Sequence, residues 1–174
     1  MFRLINFSLK FLIIFAAICL FFILSTLWYF SIGLPDYKKL SSYQPPISSR
    51  VYSDNGKLIA EYSLEKRLFI PFDSIPKKVI NSFLSAEDKN FFNHPGVDAK
   101  GILRALIKNI KNITGNKRLE GASTITQQVA KNFLLTNEVS VKRKIKEAIL
   151  AFRIERAYSK QRILELYLNQ IYLG

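Results

Sequence analysis

Apolar residues follow several different rhythms along this chain, and each rhythm predicts a different element. From Phe11 to Ile32 the run FLIIFAAICLFFILSTLWYFSI carries no charge. As a helix rising about 1.5 Å per residue, it is long enough to cross a hydrocarbon core of roughly 30 Å. Trp28 and Tyr29 lie near its end, where amphipathic rings favour a membrane interface. A cleaved leader would have a shorter apolar core, about 7–15 residues, followed by a small-x-small site. No such site follows here, so an uncleaved transmembrane signal anchor is expected over residues 11–34.

Residues 35–49 (PDYKKLSSYQPPISS) read as an extended stalk, because Pro45 and Pro46 forbid helix. RVYS, a turn at Asp54-Asn55-Gly56, and KLIAEYSL then read as a β-hairpin, with Asn-Gly supplying the positive φ of a two-residue turn. RLFIPF is a candidate third strand. From Pro76 the period becomes helical: Val79, Ile80, Phe83 and Leu84 recur on one face. Further helices are expected over Ala99 to Asn112, Ile125 to Phe133 and Val141 to Tyr158, the last capped by Ser140. A final one follows a Ser159 cap and places Ile163, Leu164, Tyr167 and Leu168 on one side. Residues 50–174 therefore predict one mainly α domain with a small membrane-proximal β element.

Charge adds a second constraint. The chain has 26 Lys and Arg against 13 Asp and Glu. Arg3 and Lys10 are the only charges before Asp36, so the domain beyond it keeps 24 basic against 13 acidic residues, a net +11. A domain this basic suits an anionic partner: nucleic acid, an anionic lipid surface or a phosphorylated substrate. Nucleic acid fits badly with a membrane anchor, and no nucleic-acid reading motif is present. Flanking charge leaves orientation open, since Lys38 and Lys39 balance Arg3 and Lys10. With one cysteine, Cys19, and one histidine, His94, an internal disulfide and a multi-histidine zinc site are excluded.

Four clusters carry candidate chemistry. In AEDKNFFNHPG, Glu87 and Asp88 end an apolar helix beside Phe91 and Phe92. A carboxylate poorly solvated against those rings would have a raised pKa and suit a general base; composition alone favours a solvated helix end, since charged residues are mostly exposed. In EGASTITQQVAKNF, hydroxyls and amides gather at a helix start, a natural anion or sugar site, or simply a helix capped by Ser123. In KRKIKE, Arg143, Lys144 and Glu147 share one side of a helix. They suit a pyrophosphate, or form a surface ion-pair lattice. In SKQRILELYLNQIYLG the spacing is mainly a packing signal, with Tyr167 and Asn169 as lesser candidates.

Together the four are specific. AEDKNFFNHPG holds every fixed position of EDxxFxxHxG, GASTITQQ those of GxSTITQQ, RKIKE those of RKxxE, and KQRILELYLNQIYLG those of KxxILExYLNxxxxG. In this order they resemble the peptidoglycan glycosyltransferase module of class A penicillin-binding proteins and their monofunctional relatives. The anchor, the stalk and RVYSDNGKLIAEY look like those of type 1A-like bifunctional members. The resemblance implies a mainly α, lysozyme-like fold. It also implies polymerisation of lipid II into β-1,4-linked glycan strands with release of undecaprenyl pyrophosphate.

By matching position, Glu87 takes the general-base role toward the acceptor 4-hydroxyl, in parallel with an inverting glycosidase. Lys131, Arg143, Lys144 and Arg104 would neutralise the leaving pyrophosphate. Glu147 matches the second essential carboxylate and would orient these cations or a divalent metal. Ser123, Thr124 and Gln128 would line the donor cleft, and His94 would brace the loop after Glu87. No cofactor is required by the sequence, and no metal ligands are assigned; a divalent cation such as Mg2+ or Mn2+ stays open. The implied partners are lipid II, the growing glycan strand, the bacterial cytoplasmic membrane and other cell-wall synthesis proteins, with no nucleic acid. The implied location is a single pass through the inner membrane, residues 1–10 cytoplasmic and the domain on the periplasmic side.

Two departures qualify the match. Many relatives carry an Arg eight residues before the third-motif glutamate, where this chain has Val139; Lys142 is the candidate substitute. The family's domain is also expected to continue for several helices beyond Gly174, followed in bifunctional members by a transpeptidase. The 174 residues alone are therefore expected to be inactive. SLEK, SIPK and SDN occur here in the wrong order for a penicillin site, with no K-T-G. A rival reading is a non-catalytic, membrane-anchored remnant that binds anionic lipid-linked precursors; intact Glu87 and Glu147 argue against it.

Overall fold

The computed structural model describes residues 2–43, 49–62, 69–115, 120–136 and 138–171. Six α-helices and one hairpin make up its regular structure among these residues: α1 (Phe2–Ser31), β1 (Ser49–Tyr52), β2 (Leu58–Tyr62), α2 (Lys77–Glu87), α3 (Ala99–Thr114), α4 (Ile125–Leu134), α5 (Val141–Ala157) and α6 (Lys160–Gln170). The expected mainly α class is what folds.

The core lies between α4, α5 and α6. Ile125, Val129 and Ala130 from α4, Leu150 and Ile154 from α5, and Ile163, Leu164, Leu166 and Tyr167 from α6 are all buried there. Full burial of one such large aliphatic or aromatic side chain contributes roughly 1.5–3 kcal/mol. Each of these helices starts on a hydroxyl that accepts a backbone N–H. Ser140 accepts from Arg143 N at 3.1 Å and Ser159 from Arg162 N at 3.2 Å, as expected. At α4 the cap is Thr124 rather than the expected Ser123. Thr124 and Gln127 form a reciprocal capping box, with bonds of 3.2 and 3.0 Å. The Ser123 hydroxyl accepts from Lys144 Nζ at 2.6 Å instead.

The segment expected to be an extended stalk is largely docked. Tyr37–Leu40 forms a 3-10 turn capped by Asp36, whose Oδ1 accepts from Lys38 N at 2.9 Å. Leu40 is fully buried, and Leu34, Tyr37 and Tyr43 pack against the same core. These four apolar residues recur every third position, the period of a 3-10 helix. Tyr158 Oη donates to Tyr37 O at 3.1 Å, and Tyr43 Oη to Gln170 Oε1 at 2.9 Å. Pro45 and Pro46 lie outside the described residues.

The hairpin forms as expected, antiparallel, with Arg50 opposite Glu61 and Val51 opposite Ala60. Its turn is longer than two residues: Gly56 N donates to Ser53 O and Ser53 N to Lys57 O, with Gly56 at φ +75°. That is a three-residue loop closed by a left-handed glycine. RLFIPF is not a third strand where described: residues 69–71 are irregular and Phe72–Ser74 is a 3-10 turn. Arg67 and Leu68 lie outside the described residues. The α6 side chains hold this stretch, Glu165 accepting from Phe72 N at 2.7 Å and Asn169 bonding both backbone groups of Ile70. Asn169 is thus structural, as first expected of its cluster.

In α1 the stretch Lys10–Ser31 has a mean hydropathy of 2.7 and no part of it is buried by the protein. Its last turns lie against α5.

The loop between α2 and α3 closes onto α5 at Gly96. This residue has φ +103°, and a Cβ there would lie 2.8 Å from both the carbonyl carbon and oxygen of Ala151. A side chain would meet backbone strain and a backbone wall together. Gly96→Ala is expected to destabilise the detergent-solubilised chain by about 2–4 kcal/mol in denaturant unfolding. A loss under about 0.5 kcal/mol, the size of an ordinary surface change, would show that α5 yields at this contact.

Candidate active site

α2 delivers Glu87 as its last residue, and the chain leaves the helix at Asp88, with φ −156°. Asp88 turns inward. Its buried carboxylate accepts the Ile125 N–H at 3.1 Å and lies 3.0 Å from His94 Nε2. Ile125 opens α4, where free N–H groups and the helix dipole favour an anion. Gly96 N donates to His94 Nδ1 at 3.1 Å, so Nδ1 is the acceptor and Nε2 carries the proton toward Asp88. Thr124 Oγ1 closes the loop by donating to Gly96 O at 2.6 Å. His94 therefore braces this loop, as expected.

A half-buried group supports the loop from behind. Lys160 Nζ donates to His94 O at 2.7 Å and to Glu155 Oε1 at 2.8 Å, and lies 4.4 Å from the centre of the Phe91 ring. Thr126 Oγ1 donates to the same Glu155 oxygen at 2.6 Å. Thr126 belongs to the hydroxyl cluster and Lys160 opens the KxxILE pattern, whereas Glu155 did not stand out in the sequence.

Glu87 itself is exposed and accepts one hydrogen bond, from Gln128 Nε2 at 2.9 Å. The expected desolvation by Phe91 and Phe92 does not occur. The 3-10 turn Phe91–Asn93 sends Phe91 into the core and leaves Phe92 exposed. The aromatic closer in effect is Tyr167, edge-on to Phe83 at 6.0 Å between centroids. Burial, reinforced by the Glu87 charge, pushes its hydroxyl up to about 12. Tyr167 is a core residue, as first expected.

Two cavities meet at Glu87. One, of about 450 Å³, is lined by Ser123, Gln128, Lys131, Arg143, Lys144 and Glu147. Glu147 is 2% exposed and accepts from Arg143 Nη1 and from Lys144 Nζ at 2.8 Å. A carboxylate this buried requires paired cations, because its desolvation costs several kcal/mol. Lys131 makes no hydrogen bond or ion pair among the described residues, so its charge is free to meet a ligand.

The other cavity, of about 550 Å³, is lined by Arg104, Lys108, Glu120 and Asp98 with Ser123 and Thr124. Lys108 and Glu120 pair at 2.9 Å. Hydrogen bonding from the Gly101 backbone, then from Asn90, holds the Asp98 carboxyl below its ordinary range. The structure thus separates two residues from the cation cluster. Arg104 faces the second cavity only, and Thr124 lines that cavity with its hydroxyl already committed to Gly96 and Gln127. Lys142, the candidate substitute at the Val139 position, is exposed and lines neither cavity. Asp98, Lys108 and Glu120 were not singled out from sequence; only the adjacency of Glu120 to GASTITQQ hinted at them.

Each carboxylate oxygen of Glu147 already accepts from an amino acid cation. Among the described residues no three His, Cys, Asp or Glu side chains converge.

A helical, lysozyme-like domain with a carboxylate set between two polar cavities is the class of protein defined here. Residues 55–174 match the family model described as Transglycosylase, and the chain belongs to that family. It is similar to penicillin-binding protein 1A of Rickettsia felis, at 59% identity over 85% of this chain and 19% of the relative. Penicillin-binding protein 1A of Rickettsia bellii is 53% identical over the whole chain and 22% of its own length. That of Aquifex aeolicus is 50% identical over 82% of this chain and 19% of the relative. The chain thus spans about a fifth of the length of these curated relatives.

Replacing Asp88 by Asn keeps its size but removes the charge that holds His94 and the start of α4. Asp88→Asn is expected to cost about 1.5–3 kcal/mol in denaturant unfolding, the range for charged hydrogen bonds. It is therefore no neutral control for Glu87. Stability within about 0.5 kcal/mol of the parent would remove the bridging role.

Proposed function

We propose that this chain is the membrane-anchored front part of a peptidoglycan glycosyltransferase that polymerises lipid II into β-1,4-linked glycan strands. One observation carries the reading: an exposed carboxylate, Glu87, stands where a cation-lined cavity meets a second polar cavity. A two-substrate glycosyl transfer needs that arrangement, with a donor on one side of the base and an acceptor on the other.

In this reading Glu87 takes the proton of the acceptor 4-hydroxyl as its oxygen attacks the anomeric carbon of the growing strand. The bond from that carbon to the pyrophosphate oxygen breaks, the anomeric centre inverts, and undecaprenyl pyrophosphate leaves with the electron pair. A pyrophosphate leaving group needs positive charge more than an acid. Lys131, Arg143 and Lys144 supply it, with Glu147 holding the latter two in place. Ser123 and Gln128 line the donor side, and Gln128 also fixes the Glu87 carboxylate. Arg104, in the opposite cavity, acts on the acceptor side, and Thr124 holds the Gly96 loop beside it.

No step passes through a metal. Intact Glu87 and Glu147 favour catalysis over a non-catalytic precursor-binding role. α1 is the single-pass anchor in the bacterial cytoplasmic membrane, residues 11–34, with residues 1–10 inside, 50–174 outside and other cell-wall synthesis proteins alongside.

In a protein carrying the complete domain, Glu87→Gln should lower lipid II polymerisation by about 10²–10⁴-fold while lipid II still binds. Polymerisation at the parent rate would sink the assignment of the base.

Lys131→Ala should weaken lipid II binding by about 1.5–3 kcal/mol in a titration, whereas Lys142→Ala, outside both cavities, should change it by less than about 0.5 kcal/mol. Equal effects from the two variants would reduce the cation cluster to a diffuse charge.

A further inference from the structure

The last turns of α1 meet α5 in a groove of about 390 Å³. Leu27, Trp28, Ile149 and Phe152 give it apolar walls, and Arg153 and Arg156 supply its charge; no acidic residue lines it. Arg153 donates to Ser31 Oγ across the junction. Trp28 is 70% exposed and Phe152 43%, so the walls present bare apolar surface.

The groove is distinct from the cation cavity beside Glu87. At about 100° per residue, Ile149, Phe152, Arg153 and Arg156 lie on roughly the opposite side of α5 from Arg143, Lys144 and Glu147. A lipid whose pyrophosphate rests beside Glu147 cannot also place it between Arg153 and Arg156.

An apolar groove with two guanidinium groups, opening where an apolar helix ends, matches a phosphate head above an acyl chain. Arginine binds phosphate with a planar set of donors, and bilayer surfaces of acidic phospholipid attract such cations. We propose that this groove holds one acidic phospholipid of the surrounding bilayer. Its phosphate pairs with Arg153 and Arg156, and the upper part of one acyl chain lies along Trp28 and Phe152. The proposal rests on the reading of α1 as membrane-spanning.

Trp28 is the chain's only tryptophan and lines the groove, so its fluorescence reports the occupant. The chain is reconstituted into vesicles of phosphatidylcholine and phosphatidylglycerol at one fixed ratio, with bromine on the acyl chains of one lipid or the other. Brominated phosphatidylglycerol should quench Trp28 as if enriched about threefold or more over its bulk fraction. Arg153→Gln/Arg156→Gln should bring that enrichment to about one. Ser31→Ala, which removes the contact between helices but keeps both cations, should preserve it, as should Lys38→Gln/Lys39→Gln, a charge change outside the groove.

Absence of enrichment in the parent overturns the proposal. So does its loss in Ser31→Ala, which would make the arginines a helix clasp, or an equal loss in the lysine pair, which would make the effect diffuse charge. Relief of quenching by undecaprenyl pyrophosphate at amounts far below the phosphatidylglycerol would assign the groove to that carrier and overturn it too. Carbonate washing of the same vesicles separates the two readings. Protein stripped from the membrane sinks the anchor with the lipid site; protein retained without enrichment sinks the lipid site alone.

Discussion

The buried carboxylate of Asp88 is the tie on which the candidate site depends. It joins the end of α2 and the His94 loop that follows it to the first turn of α4, 37 residues further along the chain. An unpaired carboxylate here would be severely destabilising, so the loop folds only where the α4 N–H and the imidazole are both in place. Glu87 is the next residue back, and its position relative to Gln128 on α4 follows from that tie. The residue beside the candidate base is thus the one that fixes where the base stands.

The two glutamates divide the electrostatic work by exposure. Glu147 is buried and held in place by its pairs with Arg143 and Lys144. Glu87 is exposed, with one hydrogen bond from an amide. A proton acceptor needs access to its substrate, whereas a group that aligns cations needs burial and partners. The same residue type serves either task, and the difference comes from which helix face carries it. Because Glu147 occupies Arg143 and Lys144 only in part, their remaining donors and the unpaired Lys131 still face the cavity.

Most of the helical frame was legible because its signals are local and redundant. Serine caps at Ser140 and Ser159, and apolar spacing in α6, each point to the same boundaries. The stalk misled because Pro45, Pro46 and the polar residues dominate its composition. The four-residue series Leu34, Tyr37, Leu40, Tyr43 has a period of three, which a search for periods of 3.6 or 2 passes over. The environment of Glu87 was misread for a similar reason. Aromatics adjacent in sequence need not be adjacent to the same carboxylate in space: a 3-10 turn rotates Phe91 to the core and Phe92 to the surface. Motif spacing correctly gathered Glu87, Ser123, Gln128, Lys131, Arg143, Lys144 and Glu147, but it carried no information on which side of Glu87 Arg104 would fall.

α5 links these local arrangements to the membrane. One of its sides carries Arg143, Lys144 and Glu147, Ala151 receives Gly96, and the side around Arg153 receives the end of α1. With a rise of about 1.5 Å per residue, Arg143 lies no more than about 15 Å along the helix from Arg153. Headgroups on one side of a bilayer occupy roughly 5–8 Å beyond the hydrocarbon core. If Arg153 marks the base of that layer, the cation cavity stands no more than about 15 Å from that base. By packing on the helix that holds Glu147, the end of α1 fixes how far the cation cavity stands from the apolar stretch of that helix.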